Sequence, residues 1–306
     1  MALSRNSAGV IMQARAIATG NFDGLHLGHQ RIFSVLRKEA EHCGIEPLAV
    51  SYHPHTRHFL GIPGEPLLLT PPREKKELFL SAGISLEDLP FDKELSQLPG
   101  LEFVRQIILK KLGARIWVFG PNHHFGSGGR GNIVEVRRHF PELQIIQLPP
   151  LEIDGDAVSS SRIRHELELG HVEAAHTLLG RPYVLIGDVK QGDARGRQIG
   201  FPTANLELEV FKQLPRFGVY AGFAHFEGER RLAVVNIGMR PTFSGQKPSV
   251  EVHIPGWSGD LYGKRLEMKL NLNLREEKRF QSVSELVEQI TCDVQRARSV
   301  LEPNAH

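Results

Sequence analysis

ARAIATGNFDGLHLGHQRIF, residues 14–33, passes through three textures in one short stretch. ARAIAT reads as a buried strand, GNFDG as a polar bend carrying Gly20, Asp23 and Gly24, and the run that follows as an amphipathic helix. His26 and His29 stand at the helix mouth, three residues apart, a spacing that puts both rings on one face. A glycine-bearing bend lets backbone come close to a ligand, and the helix start offers unpaired N–H groups and a positive dipole end. Two imidazoles add donors beside it, and phosphate is the ligand that suits all of them. Two other readings stay open at this point. One is a pair of helix-start histidines with a capping Asp; the other is a zinc pair drawing on the histidines of YHPHTRH and PNHHFG, although no cysteine or well-spaced carboxylate completes a tetrahedral set.

Working outward, the same alternation continues to about residue 180. QRIFSVLRKEAEHCG follows the bend, EPLAVSY leads to PREKKELFLSAG, LEFVRQIILKKLG leads to ARIWVFG, and LQIIQLP closes the series. Short apolar strands alternating with amphipathic helices predict a doubly wound, Rossmann-like parallel sheet of the nucleotide-binding type. Gly44, Gly83 and Gly113 each fall just past a helical run, where a left-handed residue is wanted. Ligands of such sheets bind beyond the carboxyl ends of the strands, and the bend after ARAIAT is one such end.

After GRPYV the period changes to two. In RLEMKLNLNL, Met268, Leu270, Leu272 and Leu274 alternate with Lys269, Asn271 and Asn273; in VEVHI, Glu251 and His253 share the face opposite Val250, Val252 and Ile254. With GVYAGFAHF and RLAVVNIG joined by the turn-like EGER, these half-buried strands predict a small antiparallel β-barrel. SVSELVEQITCDVQRARSVL follows as a terminal helix, with Ser282 and Glu285 as a capping box and Leu286, Ile290, Val294, Ala297 and Leu301 as the stripe that packs on the barrel. The expected domains are residues 1–180 and 181–306.

Composition bounds the function. The chain has 306 residues, 41% hydrophobic and 24% charged, enough for two cores, and no apolar run approaches a membrane span. No secretory signal is read at the N-terminus, so a cytoplasmic location is expected. Cys43 and Cys292 are far apart, which argues against a disulfide framework. A net charge of +2 provides no general attraction to a polyanion, so no nucleic-acid partner is expected.

A second anion-binding element lies in VSSSRIRHELELG, where Ser159, Ser160 and Ser161 place hydroxyls at a helix start ahead of Arg162 and Arg164. Alone it reads as a serine cap with solvated arginines. Beside the HxGH bend it suggests a nucleotidyl transferase, with the histidines on an α-phosphate and the Ser/Arg element on the departing phosphates, working by positioning and charge stabilisation. Gly20, Asn21, Phe22, Asp23 and Gly24 complete the phosphate-side set.

At this point the chain resembles the bacterial bifunctional riboflavin kinase/FMN adenylyltransferases, or FAD synthetases. The resemblance rests on GNFDGLHLGHQRIF, SSSRIR, LLGRPYVLIGDVKQGDARGRQIGFPTANL, GVYAGF, VNIGMRPTF, VEVHI, GDLYGKRL and LREEKRF, in that order. It implies ATP-dependent phosphorylation of riboflavin to FMN in the second domain and adenylylation of FMN to FAD, with release of pyrophosphate, in the first. It also implies that Thr203 and Asn205 of PTAN hold Mg²⁺, a cation suited by their oxygen donors. Gly187, Gly192 and Gly200 give backbone freedom to the loops around ATP, Glu251 is implied as the base for the ribityl 5′-hydroxyl, and Asn122 and Arg275 are implied on the flavin side. For Arg275 a strand-end salt bridge is the plainer alternative. Small molecules are the expected partners, and self-association stays an open alternative. Two departures from the family pattern stand out: His123 where Phe is common, and Thr56 where Pro is frequent. Both fall in segments that line the adenylyltransferase pocket in the family, so a riboflavin kinase with an altered adenylyltransferase is kept as an alternative. Another HxGH enzyme would lack the barrel, and a non-enzymatic flavin- or RNA-binding module would show no riboflavin-dependent ATP turnover.

Overall fold

Arg15–Thr19 becomes the central strand, β1, of a five-stranded parallel sheet. The computed structural model describes residues 3–5, 11–61, 67–192, 195–242 and 245–303; Asp193, Ala194 and Phe243, which fall within the quoted family blocks, lie outside them. Contacts divide the chain into two units, Met1–Val158 and Ser159–His306.

In the first unit β1 is followed by α1 (Leu27–Cys43), β2 (Glu46–His53), α2 (Pro72–Ser81) and β3 (Ser85–Pro90). Helix α3 starts at Gly100–Phe103 and continues as a π-helical stretch, Val104–Lys111; β4 (Ala114–Phe119), α4 (Ile133–His139) and β5 (Gln144–Gln147) complete the unit. The strand order is β3-β2-β1-β4-β5. The chain leaves β1 toward one edge and later returns to the other side of it at β4, so the bend after β1 sits at the topological switch point. Alternating residues of the central strands face opposite ways: Ile17 and Trp117 join the core beneath Val104 and Ile108, whereas Ala16, Ala18 and Val118 join Leu36, Phe33 and Phe79. Both faces are therefore covered, as the unbroken apolar runs predict. Gly44, Gly83 and Gly113 have φ of 62°, 63° and 68°.

The sequence pattern did not reveal β3. Its sequence, SLEDLP, is polar because it forms an edge, where only Leu89 is fully buried and Leu86 packs at the core's margin.

The second unit begins with a helical pair, α5 (Ser160–Glu168) and α6 (Val172–Leu179). The barrel follows: β6 (Tyr183–Lys190), β7 (Thr203–Leu208), β8 (Gly218–Phe226), β9 (Glu229–Thr242), β10 (Gly245–His253) and β11 (Arg265–Glu276), closed in the order β6-β7-β10-β9-β8-β11. EGER makes the tight β8–β9 turn, with Phe226 paired to Glu229 and positive φ at Glu227 and Gly228. The helical pair is bonded to the barrel. Asn273 N–H donates to Glu173 Oε1 at 2.8 Å, Asn273 Nδ2 to the Gly170 carbonyl at 2.9 Å and Arg216 N–H to the Leu167 carbonyl at 2.7 Å. By packing, residues 159–180 thus lie with the barrel, whereas the sequence pattern puts the boundary at 180. Helix α7 (Val283–Leu301) begins at Ser282, whose hydroxyl accepts from Glu285 N–H at 3.2 Å, and Val294, Ala297 and Leu301 pack on Val219, Ala221 and Val234.

Candidate active sites

In the first unit the bend is a strained segment held from several sides. Phe22 and Leu25 have φ of 48° and 40°, in the left-handed region, and Gly24 has 88°. Non-glycine residues pay for that conformation with roughly 1–2 kcal/mol each, so it persists only where packing imposes it. Both side chains are buried, Phe22 against Phe33 and Phe79 with ring centroids 4.8 and 5.9 Å away. The Asp23 carboxylate accepts from Leu69 N–H at 3.1 Å, Thr70 N–H at 2.9 Å and Thr70 Oγ1 at 3.1 Å, and Thr70 Oγ1 accepts from Gly24 N–H at 2.9 Å. Asp23 is thus a tie beneath the bend, only 2% exposed, rather than a cap on α1.

The two imidazoles do meet. His26 and His29 stack with centroids 3.6 Å apart and planes 21° from parallel. Gly28 makes room for this: a Cβ there would come within 3.1 Å of the His26 ring. Gly20 lies under the Phe22 ring, and its N–H donates to the Val50 carbonyl at 3.1 Å.

The two departures from the family pattern both bond to this segment. Thr56 Oγ1 accepts from Asn21 Nδ2 at 3.0 Å. His123 Nε2 hydrogen-bonds Thr19 Oγ1 at 3.0 Å, and the same oxygen accepts from Trp117 Nε1 at 2.8 Å. Burial, with His124 adding to it, pushes His123 down to about 4, so the ring is neutral at physiological pH. Asn122, beside it, is exposed. Lys75 of α2 donates to the Asn21 carbonyl at 2.8 Å and to Ser51 Oγ at 3.0 Å. In sequence it looks like one more solvated lysine of REKKE; the available signal was its position four residues before the buried Phe79, on the inward face of α2. At the carboxyl ends of β2 and β3, Phe91 packs edge to face with Tyr52 and Phe59 at 5.7 and 5.4 Å, an aromatic surface of the kind a flat heteroaromatic ring stacks on.

Among the described residues, no group of three or more His, Cys, Asp and Glu is arranged to hold a metal ion. Both cysteines are free and exposed.

The second unit opens on the other anion-binding candidate. Ser159 Oγ accepts from Arg162 N–H at 3.2 Å and caps α5; Ser160 and Arg162 are half-buried, Ser161 is exposed and Arg164 is buried. Within the barrel, strand register assembles the rest. Thr203 lies opposite His253 and Asn205 opposite Glu251, and on its other side Glu251 lies opposite Asn236. Directly opposed residues share a face, so Asn205, Glu251 and Asn236 form one polar row with Thr203 beside it. Asn236 was missed in the sequence, where VVNIG reads as an ordinary strand. The His253 Nδ1 atom, 2.8 Å from the Pro202 carbonyl, fixes the entry to this strand.

The loop glycines have separate duties. Gly192 passes so close to Asn205 that a Cβ would lie 2.1 Å from its Nδ2; Gly187 lets β7 approach, and Gly200 has φ of 85°. Thr203 also lines a cavity of about 220 Å³ with Val189, Pro202, Trp257 and Tyr262. Arg275 is committed elsewhere: its guanidinium clasps Asp293 of α7, with contacts of 2.9–3.2 Å.

A parallel sheet with paired imidazoles at its switch point, joined to a barrel carrying a row of oxygen donors beside a carboxylate, is the build of a nucleotide-dependent transferase with two candidate sites. Residues 10–162 match the FAD synthetase family and residues 179–301 the riboflavin kinase family, named Flavokinase. The bifunctional riboflavin kinase/FMN adenylyltransferase of Pseudomonas fluorescens is 35% identical over 291 residues, covering 94% of this chain and 93% of that protein. Those of Bacillus subtilis and Escherichia coli K12 are 35% and 32% identical, over 93% and 92% of this chain and 92% and 91% of theirs. A crystal structure from Streptococcus pneumoniae, described as a macrolide-efflux protein, superposes with a TM-score of 0.85 at 30% identity over 96% of this chain and 97% of that one. The chain belongs to the bifunctional riboflavin kinase/FMN adenylyltransferase family. Its activities are phosphorylation of riboflavin and adenylylation of FMN, with ATP as co-substrate.

Proposed function

We propose that the two activities divide between the two residue sets just described. In adenylyl transfer the FMN phosphate attacks the α-phosphorus of ATP and pyrophosphate leaves. His26 and His29 donate to the α-phosphate as its charge grows in the transition state, and the backbone of residues 20–24 approaches the triphosphate. Tyr52, Phe59 and Phe91, with Asn122, form the flavin side. In riboflavin phosphorylation Glu251 accepts the proton of the ribityl 5′-hydroxyl, whose oxygen attacks the γ-phosphorus while ADP leaves. Thr203 and Asn205 present only uncharged oxygen donors next to a carboxylate, a set that fits Mg²⁺; they would hold that ion, which neutralises phosphate charge. The cavity beside Thr203 has the size of a nucleobase and receives that end of ATP. Arg275 acts on the flavin side through the terminal helix it clasps.

The observation that carries this reading is the barrel register, which brings the distant PTAN and VEVHI segments into one row, Asn205 against Glu251. No helix among the described residues is long and apolar enough to cross a membrane, and a cytoplasmic location, where ATP is abundant, accords with the proposal. The test is paired initial rates, FMN from riboflavin and FAD from supplied FMN, for wild type, Glu251→Gln and His29→Ala. A variant that loses both reactions, or neither, overturns the division of residues.

A further inference from the structure

A lysine partly withdrawn from water ordinarily stands against a carboxylate. Lys75 does not. Its ammonium donates to the Asn21 carbonyl at 2.8 Å and to Ser51 Oγ at 3.0 Å, both uncharged, and Ser51 is itself fully buried. It makes no ion pair among the described residues. Asp23 and Asp88 act on it only through space, and both Asp23 oxygens are taken by the 69–70 backbone. Burial accordingly pushes Lys75 below the usual lysine range, against the pull of those two carboxylates. The cation is thus held beneath the bend that carries Gly20 to Gly24, with no anion among the described residues bonded to it.

We propose that Lys75 is a positioning residue for adenylyl transfer, a counter-charge fixed beneath the bend for which the triphosphate of ATP supplies the missing negative partner. Its bond to Asn21 sets the direction of the bend, and its charge, half-buried there, acts on the phosphates with less screening than a surface lysine's. The effect is larger in the transition state, where charge gathers on the α-phosphate, than in the bound ground state. A merely structural lysine, tying α2 to the strands, would make different demands: its donor bonds would matter and its charge would not.

The inference rests on the bend being the phosphate site, and His29→Ala, run in the same assay, reports on that separately. The experiment uses the full chain with Lys75→Gln, which keeps an N–H donor and removes the charge, and Lys75→Met, which removes both. FAD formation from FMN is followed over a range of ATP and of FMN, FMN formation from riboflavin is followed on the same preparations, and thermal unfolding is recorded. Both variants are expected to lose at least tenfold in kcat/KM for ATP in FAD formation, with the KM for FMN and the kinase rate within twofold of wild type. Lys75→Met takes a donor from the Asn21 carbonyl and Ser51 Oγ and is expected to unfold earlier than Lys75→Gln, which keeps an N–H donor, so the activity of Lys75→Gln separates the charge from the bonds. FAD formation by Lys75→Gln within twofold of wild type overturns the proposal, whatever becomes of Lys75→Met. So does a rise in the KM for FMN that accompanies a fall in the unfolding temperature.

Discussion

The bend at residues 20–24 and the strand row Asn205–Glu251–Asn236 solve one problem, fixing a few polar atoms for phosphate chemistry, by opposite means. The row is held by its own ladder. Each member is placed by backbone pairing, and the pleat alone decides that the three side chains share a face. The bend has no ladder; it contains left-handed residues and relies on contacts from Val50, Thr56, Thr70 and Lys75. A strand-built site should therefore lose function only when its own side chains change, whereas a loop-built site should also lose it when distant ties are cut.

The largest effects should come from crossing the two sites. Glu251→Gln is expected to slow FMN formation from riboflavin by roughly two to four orders of magnitude, the usual worth of a positioned base, and to leave adenylylation of supplied FMN intact. His29→Ala is expected to slow FAD formation by about two to three orders, as for loss of one preorganised donor, with the kinase rate unchanged. Steady-state rates for each half-reaction decide both.

Cutting a tie sharpens the comparison. Asp23→Ala strands the Leu69 and Thr70 N–H groups, and should destabilise the first unit by roughly 2–4 kcal/mol while lowering FAD formation, although Asp23 is buried under the bend. Wild-type FAD formation and an unchanged urea midpoint would show that the bend holds itself. The barrel should be less demanding. Fragments 159–306 and 181–306 are both expected to fold and phosphorylate riboflavin, the longer being more stable by about 2–3 kcal/mol because it keeps the bonds of Leu167, Gly170 and Glu173 to the barrel. Equal urea midpoints would remove the helical pair from the barrel's stability.

The smallest effect is one of pH. His123 binds its proton less readily when folded, at about 4, than the ordinary 6.5 of an unfolded chain. Between those values the unfolded state holds more protons, so this group's contribution is complete above pH 6.5 and is lost as pH falls toward 4. Urea unfolding of wild type at pH 7 and pH 5 should show a loss, of up to about 2 kcal/mol, that His123→Phe does not share. A Phe variant with the same pH slope as wild type would mean that this half-buried ring is not what titrates.

Local periodicity by itself determined most of the architecture: a parallel sheet, a barrel, a capped terminal helix, and two imidazoles on one face. Each of these is written within a few consecutive residues, through the 3.6- or 2-residue repeat of what must be buried. SLEDLP escaped that reading because an edge strand has little to bury, and so its polar sequence carries no period. The pairing of Asn205 with Glu251 needed the register of the closed barrel, and the duties of Asp23, Lys75 and His123 needed the tertiary structure altogether. Whether a polar side chain ends in water or under a bend depends on which distant segments pack over it, and Leu69, Thr70, Ser51 and Thr19 are distant in sequence from the groups they satisfy. Burial of a charge is a property of the assembled neighbourhood, not of the window of sequence that carries it.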